Sequence, residues 1–290
     1  MSENYHIPVL LSESIEFLIT DIDGVYVDCT LGEGGHSKAI LEKLSPNGRL
    51  ISLDQDPEAI EFVNRHINIP KDPRWKIVNK NFEKISEEVA DGSATGILMD
   101  IGFSSRQIDI PGRGFSFHNG SDPLDMRMSD KTGVTASDLL NALDKKQLAR
   151  LFFMYGEERR SNRIAEEIKR SIPINTVEEL NQAVNRALPA ATAKEAIRRV
   201  YQALRIAVND ELHVLEDSIG PAFSCLRSNG RLVIITFHSL EDRIVKRSFR
   251  SLVQSGKGIL LTKKPMTPSD RELETNPRSH SAKMRVIEKI

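Results

Sequence analysis

Hydrophobic positions along the chain fall into two regimes. Early on, short apolar runs at Val25–Asp28, Arg49–Asp54, Trp75–Asn79 and Gly96–Ile101 predict four strands. Helical spacings separate the first three, over Ser37–Leu44 and Pro57–His66, and Phe82–Ala90 has room for another short helix. Strands alternating with helices predict a parallel sheet covered on both faces. A near-continuous Val/Ile run returns at Arg231–Phe237, the pattern of a central parallel strand, and Met284–Ile290 predicts a last strand. Between Ser137 and Gly220 the spacing is helical. Thr176 with Glu179, and Thr192 with Glu195, fit capping boxes. After Thr192, the positions Ile197, Val200, Tyr201, Leu204, Val208, Leu212 and Leu215 predict one long amphipathic helix. Tyr155 to Arg159 is expected to open a helix of the same region, and Ser255–Met284, polar and rich in Lys, Pro and Ser, reads as loop. A helical stretch between two strands of one sheet predicts an inserted subdomain.

Composition narrows the class without naming a function. Apolar residues make up 39% of the 290 and charged residues 28%, the balance of a soluble globular chain with room for one large domain and an insert. No apolar run is long enough for a membrane span. The opening MSENYHIPVL has neither the basic start nor the apolar stretch of a signal peptide. Cys29 and Cys225 make no metal-ligand spacing and are expected to be reduced core residues of a cytoplasmic protein. No metal site is expected. Net charge is -1, but its distribution is uneven. Arg227 to Ile290 holds 14 of the 40 Lys/Arg and 6 of the 41 Asp/Glu, a net of +8, against 26 basic and 35 acidic residues elsewhere, a net of -9. A basic end on an acidic body fits either a polyanionic partner met at one face or a solvated basic tail.

The candidate chemistry starts at VYVDCTLGEGGHSKAILEKL, residues 25–44, an apolar run that ends in Asp28 and turns through Gly32, Gly34 and Gly35 into a helical pattern. A phosphate loop would need Lys-Ser/Thr after the glycines, which is missing. A dinucleotide fingerprint would need a third glycine where Ser37 stands. S-adenosylmethionine, which has no phosphate, needs only close approach of backbone, with Asp28 placed for its ammonium group. Asp54, about 20 residues beyond the glycines, stands where a ribose-binding carboxylate belongs. Phe82 is a candidate adenine contact or a core residue.

The fourth predicted strand leads into GILMDIGFSSRQIDIPGRGFSFHNGSDPLDMRM. This stretch resembles the bacterial 16S ribosomal RNA cytosine-N4 methyltransferase family, called MraW or RsmH. The resemblance extends through HIPVLLSE, DCTLGEGGHS, LDQDPEAI, YGEERRSNRIA, EAIRRVYQALRIAVNDEL, GRLVIITFHSLEDRIVK and NPRSHSAKMR, nearly the whole chain. It departs from the family at Phe103 and Arg106, where Val and Pro are frequent, and in the tail after Asn276-Pro277-Arg278.

The resemblance implies an α/β fold, a Rossmann-like class I methyltransferase core, with an inserted helical subdomain. The core is expected at 1–115 and 217–290 and a substrate-recognition insert at 116–216. It implies S-adenosylmethionine as donor, bound by Gly34, Gly35, His36, Asp54, Phe82, Asp100 and Gln107. It implies a cytidine in the decoding region of 16S rRNA as target, within the small ribosomal subunit or a late assembly intermediate, and no membrane partner.

The exocyclic amine of cytosine is a weak nucleophile because its lone pair is delocalised into the ring. Methylation needs a group to hold the N–H and take up charge as the proton leaves. Where other amino methyltransferases carry Asp/Asn-Pro-Pro-aromatic, this chain reads Asp100-Ile101-Gly102-Phe103-Ser104-Ser105. Asp100 with Ser104 or Ser105 is the candidate pair that orients the amine; binding the donor alone is the competing role for Asp100. His238 is a candidate wall of the cytosine pocket, and Asp122, Asp125 and Arg127 a candidate internal ion pair. A base reaches such a site only when extruded or unpaired. Phosphate contacts are therefore expected from Arg243, Lys246, Arg247 and Arg250 on one helix, and from Lys263, Lys264, Arg278 and Lys283 in the tail.

Overall fold

The computed structural model describes residues 7–66, 72–102, 104–129 and 133–290, apart from the side chains of Ser105 and Asp109. The chain divides into two compact units, Met1–Gly102 with Leu212–Ile290, and Phe103–Glu211.

The first unit is built on one seven-stranded sheet. Its strands are β1 (Val25–Asp28), β2 (Arg49–Asp54), β3 (Trp75–Asn79), β4 (Ala94–Asp100), β5 (Leu226–Thr236), β6 (Gly258–Leu260) and β7 (Lys283–Lys289), in the spatial order 3-2-1-4-5-7-6. Strands β1 to β5 run parallel, and β7 enters antiparallel between β5 and β6. The order follows the doubly wound α/β pattern, with β7 added. Side chains alternate between two buried faces, which is why these strands read as nearly unbroken apolar runs. Tyr26, Leu50, Leu98 and Val233 point to one face and pack with Leu18 of helix α1 (Leu11–Leu18) and with Ile40 and Leu41 of α2 (Gly35–Lys43). Val27, Leu53, Ile97 and Leu232 point to the other, towards Leu215, Ile219 and Phe223 and towards Val245 and Phe249. Cys29 and Cys225 both lie in this second core, buried and unbridged. Helix α3 (Pro57–His66) links β2 to β3.

The second unit is helical. It contains α4 (Ser105–Asp109), α5 (Ala136–Ala142), α6 (Lys145–Gly156), α7 (Ser161–Ser171), α8 (Val177–Ala187) and α9 (Ala190–Asn209). These helices share a core that includes Leu148, Phe152, Ile164, Leu180, Val200 and Leu204. The capping box of Thr176 with Glu179 is present.

Several expectations need correction. The units divide earlier than the expected boundaries at 115/116 and 216/217. Arg113 bonds into the helical unit: it accepts Met126 N–H at its carbonyl (2.9 Å) and donates its guanidinium to the Arg127 carbonyl (2.8 Å). The long helix is two helices. Asp210 takes a left-handed φ of 50°, closing α9, and Leu212 and Leu215 belong to α10 (Glu211–Cys225). Thr192 with Glu195 makes no cap, because α9 starts at Ala190 and the Thr192 hydroxyl donates to the Pro189 carbonyl instead. Tyr155 and Gly156 close α6 rather than opening a helix, and Glu157 is its left-handed cap. The supposed loop 255–284 contains β6, helix α12 (Asp270–Thr275) and a turn of 3-10 helix at Pro277–Ser281.

Candidate active site

In doubly wound sheets, ligands bind beyond the carboxyl ends of the strands, where the strand order reverses. Here that point lies between β1 and β4. Three carboxylates stand there on neighbouring strands: Asp54 ends β2, Asp28 ends β1 and Asp100 ends β4. The glycine loop follows β1. Gly32 (φ 50°) and Gly34 (φ 78°) adopt the left-handed conformation that side chains disfavour, and Gly34 starts α2. Gly35 answers a different need. A Cβ there would sit 2.2 Å from Cγ of Pro8, so its missing side chain admits the N-terminal segment.

Each carboxylate is held differently. Asp54 accepts Gly32 N–H at Oδ2 (2.8 Å) and Asp56 N–H at Oδ1 (2.9 Å), tying the second strand to the loop. Asp28 is fully buried and accepts Ser37 Oγ–H at Oδ2 (2.6 Å) and Thr30 N–H at Oδ1 (3.1 Å). Strand register explains the next contacts. Asp28 lies level with Ser52, so the hydroxyls of Ser37 and Ser52 meet at 2.8 Å, and Trp75 donates its indole N–H to Ser52 Oγ at 2.8 Å. Indole N–H only donates and a carboxylate only accepts, so Trp75, Ser52, Ser37 and Asp28 form a chain with one direction. Asp100 keeps a fifth of its side chain exposed, yet its Oδ1 is buried with no hydrogen-bond partner. Its backbone N–H donates to Thr30 Oγ1 (2.8 Å). Thr30, Ser37, Ser52 and Trp75 are site residues that strand-end and glycine patterns do not reveal; only pairing of β1, β2 and β3 brings them together.

Burial dominates the electrostatics. It pushes Asp28 up to about 7, against the hydrogen bonds from Ser37 and Thr30, and Asp54 adds repulsion. Burial pushes Asp54 up to about 6, against the N–H groups of Asp56 and Gly32. Asp100 is raised well above the usual carboxylate range by burial, then by the charges of Asp28 and Glu241. None of the three pairs with a lysine or arginine among the described residues. Such a site disfavours a pyrophosphate and fits a ligand that carries positive charge.

His36, on the first turn of α2, is buried, and its Nε2 lies 3.2 Å from the Val9 carbonyl. A carbonyl only accepts, so Nε2 carries the hydrogen and Nδ1 faces Asp100 Oδ2 at 3.6 Å. Phe82 opens a 3-10 turn and is half-buried against the second core.

Ser104 and Gln107 belong to the helical unit and cap α4 reciprocally: Gln107 N–H donates to Ser104 Oγ (3.2 Å), and Ser104 N–H to Gln107 Oε1 (3.1 Å). Phe103 and the Ser105 side chain lie outside the described residues. Arg127 grips Asp125 (2.7 Å), the expected ion pair. His238 caps α11 (Ser239–Gln254), with its Nδ1 accepting Glu241 N–H (3.4 Å) and its Nε2 3.0 Å from Glu241 Oε1. Arg243, Lys246, Arg247 and Arg250 are exposed along α11, and Lys263, Lys264 and Arg278 are exposed beyond it. Lys283 sits on β7, 4.0 Å from Asp242, which Arg285 also binds at 2.7 Å. Helix α11 starts just past β5, so Arg243 is nearest the carboxylates and Arg250 lies roughly 18 Å along the axis from His238.

Comparison with known proteins gives a consistent result. The sequence matches the MraW methylase family over residues 3–290. It is 42% identical over 311 residues to the ribosomal RNA small subunit methyltransferase H of Fusobacterium nucleatum, covering 100% of this chain and 98% of that protein. The enzymes of the same name from Symbiobacterium thermophilum and Caldicellulosiruptor saccharolyticus are each 44% identical. They cover 99% and 98% of this chain, and 97% and 99% of their own lengths.

Proposed function

Because the chain belongs to the MraW methylase family, we propose that it methylates small-subunit ribosomal RNA, with S-adenosylmethionine as donor and the N4 amine of one decoding-region cytidine as acceptor. The observation that carries this reading is the row of carboxylates at the strand ends, Asp54, Asp28 and Asp100, with no lysine or arginine paired to them among the described residues. They would hold a cationic donor. When bound, that donor supplies a methyl group activated by a positively charged sulfur. Asp54 still has acceptor capacity for a ribose diol beyond its two backbone bonds. Asp28, fixed by Ser37 and Thr30, offers its negative charge to the ammonium group.

Asp100 keeps a fifth of its side chain exposed. That carboxylate accepts one N–H of the cytosine amine, turning the nitrogen lone pair away from the ring. Once the nitrogen carries positive charge, the carboxylate takes the surplus proton. A proton on Oδ2 faces the acceptor nitrogen Nδ1 of His36 at 3.6 Å. Positioning of the two reactants supplies most of the acceleration, and the carboxylate adds stabilisation where charge develops. Asp100→Asn is expected to lower kcat by about 100-fold at saturating donor with little change in donor KM. A raised donor KM with unchanged kcat would reduce Asp100 to a donor ligand.

The test of the reaction itself is methyl transfer from labelled donor to small ribosomal subunits that lack the modification, followed by nucleoside analysis. N4-methylcytidine at one decoding-region position is the expected product. Methyl on carbon, on a ribose hydroxyl or on another base overturns the reading.

A further inference from the structure

The helical unit carries a surface that this chemistry does not use. On α6, Lys146, Arg150 and Met154 repeat at a spacing of four, and Phe153 stands three residues beyond Arg150, so the four share the outer face of the helix. All four are exposed, with Phe153 at 56% and Met154 at 52%. The turn after α6 adds exposed Arg159 and Arg160.

Two features make this more than scattered surface residues. The side chains of Lys146, Arg150, Arg159 and Arg160 have no ion-pair partner among the described residues, although acids are near in sequence. Glu166 is taken by Lys145 and Arg170, and Glu158 by Arg199. Asp144 caps the start of α6 and Glu157 its end. The four cations, without ion-pair partners, lie beside an aromatic ring and a thioether that are open to water. Unpaired nucleotides bind to such a combination, with cations on the phosphates and a π-face for the base. A second copy of this chain fits poorly, because a two-fold contact through this face would oppose four positive charges with four more.

We propose that the outer face of α6 and the turn after it bind a single-stranded segment of the RNA substrate, with one base stacked on Phe153. The inference deepens the rRNA methyltransferase reading and rests on it. The surface holds substrate and takes no part in the chemistry.

The test compares full-length wild type, Arg150→Glu with Arg159→Glu, Phe153→Ala and Phe153→Trp. Affinity for 16S rRNA is measured without donor across a salt series, and KM and kcat are measured on small subunits. The charge-reversed protein is expected to bind at least 10-fold more weakly, with a salt slope shallower by about one to two. Phe153→Ala is expected to weaken binding several-fold and Phe153→Trp to restore it, since any large π-face serves. KM for subunits rises in step, while kcat at saturation, donor affinity and melting temperature stay as in wild type. RNA affinity and KM equal to wild type in all variants overturn the surface and leave the methyltransferase reading intact. Loss of self-association with unchanged RNA affinity also overturns it, in favour of a contact between copies. Absence of transfer by wild type to any subunit overturns the proposed function, and the direct RNA affinities still decide the surface.

Discussion

Asp28 sits under opposed demands. Folding removes it from water and places Asp54 nearby, while the chain Trp75–Ser52–Ser37 favours its ionised form. In the free protein burial outweighs the hydrogen bonds, raising Asp28 to about 7 and Asp54 to about 6. A cationic ligand favours the ionised forms, so its binding expels those protons. Donor affinity is therefore expected to be highest above pH 7 and to fall as pH drops through 7 and then 6, by up to about 10-fold per unit for each proton released. Trp75 is the single tryptophan of the chain and ends the hydrogen-bond chain on Asp28. Its emission should report donor titrations from pH 5.5 to 8.5, and a flat Kd across that range would contradict the linkage. At this scale, Asp54 and Asp100 were readable as acids closing apolar runs. Ser37, Ser52 and Trp75 were not, because each is an ordinary residue of its own element until the strands pair.

Between β1 and α2, one glycine-rich motif serves two purposes that its spelling does not separate. Gly32 and Gly34 supply left-handed turns, while Gly35 admits Pro8. The Gly35→Ala change must move a rigid proline ring or the helix itself, an overpacking that costs about 1–3 kcal/mol. Melting should fall by about 2–6 °C in a thermal scan. Donor affinity should fall with it, because His36 is anchored to the Val9 carbonyl next to Pro8. The break between α9 and α10 teaches a related lesson. Apolar spacing runs through Val208, Leu212 and Leu215 as if uninterrupted, but Leu215 packs on the sheet core while Val208 packs in the helical one. Periodicity records that a position is buried, without recording in which core.

The whole molecule holds separate cores in its two units. Residues 103–211 are contiguous in the chain and bury their own set of apolar side chains, the condition for folding alone. A fragment of these residues is expected to be helical and to melt cooperatively by circular dichroism. A fragment with no cooperative transition would show that its core needs the rest of the chain. Among the described residues no helix is long and apolar enough to cross a membrane.

The sequence alone determined the alternation of strands and helices, the helical insert, the glycine turn and the acids at strand ends, because these depend on local periodicity and backbone preference. It also carried the family, through long motifs spread over the chain. Tertiary structure decided what depends on partners distant in sequence. Strand order set Asp54, Asp28 and Asp100 side by side, and register placed Ser52 level with Asp28. Burial then raised three carboxylates together. Helix packing left Lys146 and Arg150 of α6 exposed and without an ion-pair partner among the described residues, while Lys145 holds Glu166. A side chain's charge state and availability are properties of its surroundings, and those exist only once the chain has folded.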